Sequence, residues 1–219
     1  MSIAAGSALR LSGDNLSHRY GVRIALEPLT FAMDAPGVVA VTGPNGSGKS
    51  TLLRILAGLL RPTQGTTQFA RDGVMVAPKQ RRAHAGLATP ELSFYEEFTA
   101  AENLAFAAET RGLPSVHAAV REALDAVGLA SRADDRVGDF SSGMKQRLRL
   151  AFAVLHRPAL LLLDEPGAHL DDAGRAVVAR LVASHAANGL VLIATNDPQE
   201  MTLAERHIEL RGRGLGNPS

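Results

Sequence analysis

The chain has 219 residues, with 23 Lys+Arg against 22 Asp+Glu, a net charge of +1, and 46% hydrophobic and 21% charged residues. That composition is globular and excludes both a disordered chain and a broadly basic nucleic-acid coat. Cysteine is absent, which excludes disulfides, thiolate metal sites and a cysteine nucleophile.

In chain order, Ala8 to Phe31 reads as short alternating stretches broken by Gly13, Asn15 and Gly21, which predicts an antiparallel β region. Gly37–Val41 is a continuous apolar, β-branched run suited to a strand buried on both faces. A Gly-rich turn, Gly43 to Gly48, follows, and then Leu52, Leu53, Ile55, Leu56, Leu59 and Leu60 recur at helical spacing. The basic residues Arg71, Lys79, Arg81, Arg82 and His84 come next. With few aromatics nearby and a neutral chain, they read as a solvated loop face and not as a site for nucleic acid or acidic lipid. Residues of about 90 to 155 are expected to form a mainly helical insert. Its candidates are Ala100 to Thr110, a stripe of Val116, Val120, Leu124 and Val127, and Ser141 to Leu155 stopped before Pro158. Leu160–Leu163 suits strand or helix by composition, and its shortness and the following Asp164-Glu165-Pro166 favour a buried strand. A helix over about Ala173 to Ala187, a strand over Leu190 to Ala194 and a helix start at Asp197-Pro198 complete the pattern, before a loose Gly-rich tail from Arg211 to Ser219. Strands alternating with helices predict one α/β domain over residues 1–219 with a mainly parallel sheet. No apolar run approaches the roughly 18 residues that span a bilayer. No secretory signal is visible at the N-terminus, and a cytoplasmic location is expected.

Three segments carry chemistry. Gly43-Pro44-Asn45-Gly46-Ser47-Gly48-Lys49-Ser50 fits the phosphate-binding pattern GxxxxGK[ST] between a buried strand and an apolar-periodic helix. Its glycines let backbone N–H groups wrap a phosphate, Lys49 reaches the β and γ phosphates, and the Ser50 hydroxyl is a Mg²⁺ ligand. Asp164, at the end of a buried strand, is placed to hold Mg²⁺. Glu165, one residue on, can orient or deprotonate an attacking water. Read alone, this pair is equally a solvated strand end. Phe140 to Arg147 is a Ser/Gly-rich helix start that suits an anion, or simply an N-cap.

Taken together, these motifs resemble the ATP-binding subunits of ABC transporters over residues of about 8 to 210. Gly43–Ser50, with Thr51 after it, looks like the Walker A loop, and Leu160–Asp164 like Walker B with Glu165 as the catalytic carboxylate. Ser141-Ser142-Gly143-Met144-Lys145-Gln146 looks like the signature, whose Ser141, Ser142, Gly143 and Gln146 would contact nucleotide. Tyr20 falls where the family stacks adenine on an aromatic ring, the alternative being an ordinary edge-strand tyrosine. The resemblance implies a P-loop NTPase core with a helical signature subdomain, and ATP and Mg²⁺ as cofactors. It also implies a second ATP-binding subunit packed head to tail and a separate transmembrane permease, which places the chain peripherally on the inner membrane face. Nucleic acid is not expected as a partner.

Three features depart from the family pattern. Glu91 stands where a glutamine is usual, and Asn196 where the switch histidine is usual. Asparagine hydrogen-bonds a γ-phosphate but carries no positive charge. Ala168 and His169 replace small polar residues, with His169 read as exposed or interfacial. The short chain, the Ser-Ser-Gly-Met-Lys-Gln segment and Thr195-Asn196-Asp197 look similar to haem-exporter-like subunits of cytochrome c maturation. Asn196 and Glu91 also admit an alternative, a nucleotide-gated binding module with very slow hydrolysis.

Overall fold

The structure, a computed structural model, describes residues 9–212. Strands β1 (Leu9–Tyr20) and β2 (Arg23–Asp34) pair antiparallel, followed by β3 (Gly37–Thr42) and helix α1 (Lys49–Leu56). Then come β4 (Gln64–Arg71), β5 (Val74–Met75), the single turn α2 (Arg81–His84) and β6 (Ala85–Ala88). Helices α3 (Ala100–Thr110), α4 (Val116–Ala126) and α5 (Ser142–Val154) occupy the next stretch. The chain closes with β7 (Leu160–Asp164), α6 (Asp172–Ala186), β8 (Leu190–Ala194), the single turn α7 (Pro198–Met201) and β9 (Arg206–Glu209).

Two sheets result. One is antiparallel in the order β2-β1-β4-β5, and the other is parallel in the order β6-β7-β8-β3-β9. The central strands of the parallel sheet are buried on both faces, which is why they read as unbroken apolar runs. Along β7, Leu161 and Leu163 join the core under the helical layer, whereas Leu160 and Leu162 face the core shared with α1 and the antiparallel sheet. In β8, Val191 and Ile193 take the first side, and Leu190, Leu192 and Ala194 the second. The antiparallel sheet buries Leu9, Leu11, Leu16, Leu26, Met33 and Phe69 against that second core.

Side-chain caps set the starts of α3, α5, α6 and α7. Thr99 and Glu102 form a reciprocal capping box at α3, and Asp171 accepts from Gly174 N at 2.8 Å to open α6. Helix α5 packs so closely on β6 that a side chain at Gly86 would place its Cβ 1.9 Å from the carbonyl oxygen of Ala153.

Several expectations need correction. Helix α1 ends at Leu56, and the positive φ of Gly58 turns the chain, so Leu59 lies outside the helix and is 51% exposed. Strands β4, β5, β6 and β9 were not anticipated. Within the basic cluster, Arg81 is not solvated: it is 4% exposed, and its guanidinium donates to the Thr67 hydroxyl and carbonyl. Of the Gly-rich tail, residues 213–219 lie outside the described residues.

His156, between α5 and β7, gives the fold an acid-sensitive point. Burial, reinforced by the nearby Arg111 guanidinium, lowers its pKa from 6.5 to about 4. Between these values the unfolded chain takes up a proton that the folded chain refuses, so stability falls as pH drops through 6 towards 4. Burial moves His185 in the same direction. On lowering the pH from 8 to 5, denaturant titration of His156→Gln should show about 2 kcal/mol less loss of stability than the native chain. Equal losses in the two proteins would remove His156 as the cause.

Candidate active site

The site is built at the carboxyl edge of the parallel sheet. Val41 of β3 and Asp164 of β7 both pair with Ala194 of β8. The segments leaving these three strands, Gly43 onward, Glu165 onward and Thr195-Asn196, therefore emerge side by side, where open α/β sheets bind ligands.

The loop between β3 and α1 wraps tightly. Gly48 sits at φ +103°, and a Cβ there would lie 2.3 Å from the Ala25 carbonyl oxygen, so only glycine fits. Helix α1 starts at Gly48 without a side-chain cap. Its first-turn N–H groups and the positive end of its dipole are thus available to an anion. Lys49 is buried, and its Nζ donates to the carbonyl oxygens of Gly43 at 2.7 Å and Pro44 at 3.4 Å. The ammonium is held above the loop by atoms that can only accept.

Together these residues line a cleft of about 380 Å³, bounded by Tyr20, Arg23, Asn45, Gly46, Lys49 and Glu165, with Ser50 and Thr51 at its base. Cavities of about 600 and 680 Å³ lie elsewhere on the surface, but neither is lined by the loop Gly43–Ser50. Tyr20 stands at the cleft mouth, 48% exposed, with its ring edge-on to His18 at 4.6 Å. Asp164 is buried beneath the loop. Burial pushes its carboxyl pKa up, and a hydrogen bond with the Ser50 hydroxyl opposes that rise. Glu165 is exposed and adopts a left-handed backbone, φ +48°, with its N–H bonded to the Ala194 carbonyl at 2.9 Å. Asn196 reaches over the loop: its Oδ1 accepts from Gly43 N at 3.4 Å, and its Nδ2 donates to Asn45 Oδ1 at 3.4 Å.

Other expected residues lie apart from this group. Glu91 sits outside the cleft, where its carboxylate binds the Arg54 guanidinium at 2.6 Å. Burial raises its pKa, but backbone and Arg54 hydrogen bonds outweigh that and leave it below the ordinary value. Ser141 caps α5, its Oγ accepting from Met144 N at 3.2 Å, and Ser142 is exposed. Gly143 lies beside the carbonyl of His169, an exposed residue at φ +62°. None of Ser141, Ser142 and Gly143 lines the cleft. Gln146, expected among the nucleotide contacts, is instead 3% exposed and bonded to backbone. Sequence reasoning missed Arg23 and Arg54. Arg54 lies one helical turn after Ser50, a spacing that marks it as a neighbour of the cleft.

The sequence and the fold are similar to those of known proteins. Residues 26–168 match the family described as ABC transporter. The chain is 39% identical over 207 residues to a putative ABC transporter ATP-binding protein of Halobacterium salinarum, covering 92% of this chain and 89% of that one. It is 36% identical over 198 residues to a cytochrome c biogenesis ATP-binding export protein of Cupriavidus pinatubonensis, covering 89% and 85% respectively. Its fold matches the dimeric post-hydrolysis structure of an ATP-binding cassette bound to ADP and Pi, with a TM-score of 0.80 at 23% identity, over 91% of this chain and 94% of that one.

Proposed function

The chain belongs to the ABC transporter family as an ATP-binding, ATP-hydrolysing subunit, and from that premise we propose that two such subunits pack head to tail to drive a separate membrane permease. Each ATP then lies between Gly43–Ser50 of one subunit and Ser141–Gly143 of the other. The observation that carries this reading is the division of the site: within one chain, Ser141, Ser142 and Gly143 stay off the cleft that the phosphate loop lines. A second subunit supplies what one chain leaves open.

Within that site, the Tyr20 ring stacks on adenine. The N–H groups of Asn45 to Thr51 surround the phosphates, and Lys49 binds the β and γ oxygens. The oxygen donors Ser50 and Asp164 suit Mg²⁺, and a cation beside Asp164 offsets the burial that raises its pKa. Bound there, Mg²⁺ neutralises charge on the phosphate oxygens. Glu165 orients the attacking water and accepts its proton as the new bond to phosphorus forms and the bond to ADP breaks. Asn196 donates its amide to the γ-phosphate.

The absence of a cation at position 196 supports a second reading, a nucleotide-gated module with slow turnover. Asn196→His restores a group able to carry positive charge and is expected to raise kcat about tenfold. An unchanged or lower kcat in steady-state hydrolysis would show that the asparagine costs nothing.

Among the described residues no helix is long and apolar enough to cross a membrane, which fits a peripheral subunit on the cytoplasmic face. The helical insert, residues of about 90 to 155, is our candidate for permease contact. For cargo we favour a haem-exporter type, supported by the likeness to the Cupriavidus protein. Deleting the gene should then deplete c-type cytochromes, and an unchanged content would exclude that cargo.

A further inference from the structure

We infer that Gln146 and Arg149 are positioning residues that fix the backbone of Glu165 from the helix α5 side. Rotating a carboxylate into place for an attacking water requires its backbone to be held firmly, and Glu165 is held in an unusual way. It is a non-glycine residue at φ +48°, a left-handed conformation that side chains disfavour and that persists only where surrounding contacts enforce it. Its N–H is fixed by Ala194 of β8 at 2.9 Å, and its carbonyl accepts from Ala168 N at 3.1 Å. The remaining constraint comes from a distant segment. Gln146 Nε2 donates to the Glu165 carbonyl at 3.2 Å and to the Pro166 carbonyl at 3.1 Å.

The orientation of this amide follows from its partners. Two carbonyls can only accept, so the nitrogen faces them. On the other side, Arg149 Nη1 donates to Gln146 Oε1 at 3.0 Å, and a guanidinium can only donate. Arg149 is itself anchored, since its Nε donates to the Leu92 carbonyl at 2.8 Å, immediately after Glu91. One buried amide therefore connects the Glu165-Pro166 turn, the helix that Ser141 caps, and the start of the helical insert. Gln146 is 3% exposed and does not itself line the cleft, so it acts on the reaction through the Glu165-Pro166 backbone that it holds.

This inference rests on the reading of Glu165 as the catalytic carboxylate, and the test separates the two. Gln146→Leu, Arg149→Met, their double variant and Gln146→Leu in the Glu165→Gln background are compared in the full chain. Readouts are kcat, KM, the Kd for a fluorescent ATP analogue and thermal unfolding. Gln146→Leu should lower kcat on the order of 10- to 100-fold, as expected for a misplaced reacting group, with the nucleotide Kd within about twofold of native. Arg149→Met should lower kcat less, and the double variant should match Gln146→Leu alone, because Arg149 acts through Gln146. In the Glu165→Gln background the leucine should have no further effect.

A folded Gln146→Leu protein with native kcat overturns the inference. So does a loss that appears in Kd, or an equal loss in the Glu165→Gln background. If Gln146→Leu does not fold, Arg149→Met decides: a fall in kcat at unchanged Kd supports the relay, and native kcat overturns it. A native rate in Glu165→Gln alone would instead overturn the catalytic reading itself.

Discussion

Replacing Glu165 by glutamine is expected to lower ATP turnover by about two to four orders of magnitude, the range contributed by a positioned general base. Binding should survive. The side chain leaves β7 at the edge of the cleft, it is exposed, and none of its hydrogen bonds supports the phosphate loop. Glutamine keeps the size and the acceptor oxygen but cannot take a proton from water at neutral pH. Bound ATP is then no longer consumed, so the closed pair should accumulate. Size-exclusion chromatography with ATP and Mg²⁺ should therefore show Glu165→Gln shifting from a 23.0 kDa species towards twice that mass. Native turnover in this variant, or failure to bind ATP, would contradict the assigned role.

Lys49→Ala is the second large effect, and it falls on affinity. In the structure Nζ is held by two carbonyl oxygens, at 2.7 and 3.4 Å, at the centre of the loop. Phosphate oxygens offer the same ammonium charge-assisted bonds, which are worth about 1.5–3 kcal/mol each. Losing two of them should weaken ATP binding on the order of 100-fold or more. Lys49→Arg should not restore it, because Lys49 is buried and a planar guanidinium fork does not reproduce the contacts of a compact ammonium. Adenosine, which lacks phosphates and would contact Tyr20, should bind Lys49→Ala and native protein alike. Isothermal titration with ATP and adenosine separates these cases, and an equal loss for both ligands would point to a collapsed loop instead.

How much of this was legible in the sequence follows from where each residue's constraint lies. Strands β3, β7 and β8 are buried on both faces, and their apolar runs announce them. The loop Gly43–Ser50 is read directly because its contacts are made by its own backbone over eight contiguous positions. Strand β6 is different. Ala85-Gly86-Leu87-Ala88 has weak strand propensity and becomes a strand because β7 pairs with it and α5 needs the small Gly86 beneath it. Strand β4 is mostly polar, burying only Phe69 deeply, and extends because β1 pairs along it.

The same division holds in the site. Asp164, Glu165 and Asn196 follow buried strands, and the register that aligns those strands also aligns the three residues. The Arg54–Glu91 pair and the Gln146 bonds to Glu165 and Pro166 join segments 37, 19 and 20 residues apart, and nothing local in either segment marks them. Gln146 reads from the sequence as a nucleotide contact, whereas in the fold it is buried against the Glu165-Pro166 backbone. A polar residue on the second turn of a motif helix looks like a ligand contact until its burial is known. Arg81 misled in the same way, since a basic run does not reveal which of its members folds inward onto Thr67.

The central claim is that one chain holds only part of an ATP-hydrolysing site. The most direct test is the rate of ATP hydrolysis, with Mg²⁺, as a function of the concentration of the purified chain, beside Glu165→Gln as background. The account predicts a Glu165-dependent rate that rises faster than linearly with protein, because two copies must meet to complete each site. A Glu165-dependent rate per chain that stays constant on dilution far below any dimerisation would contradict it.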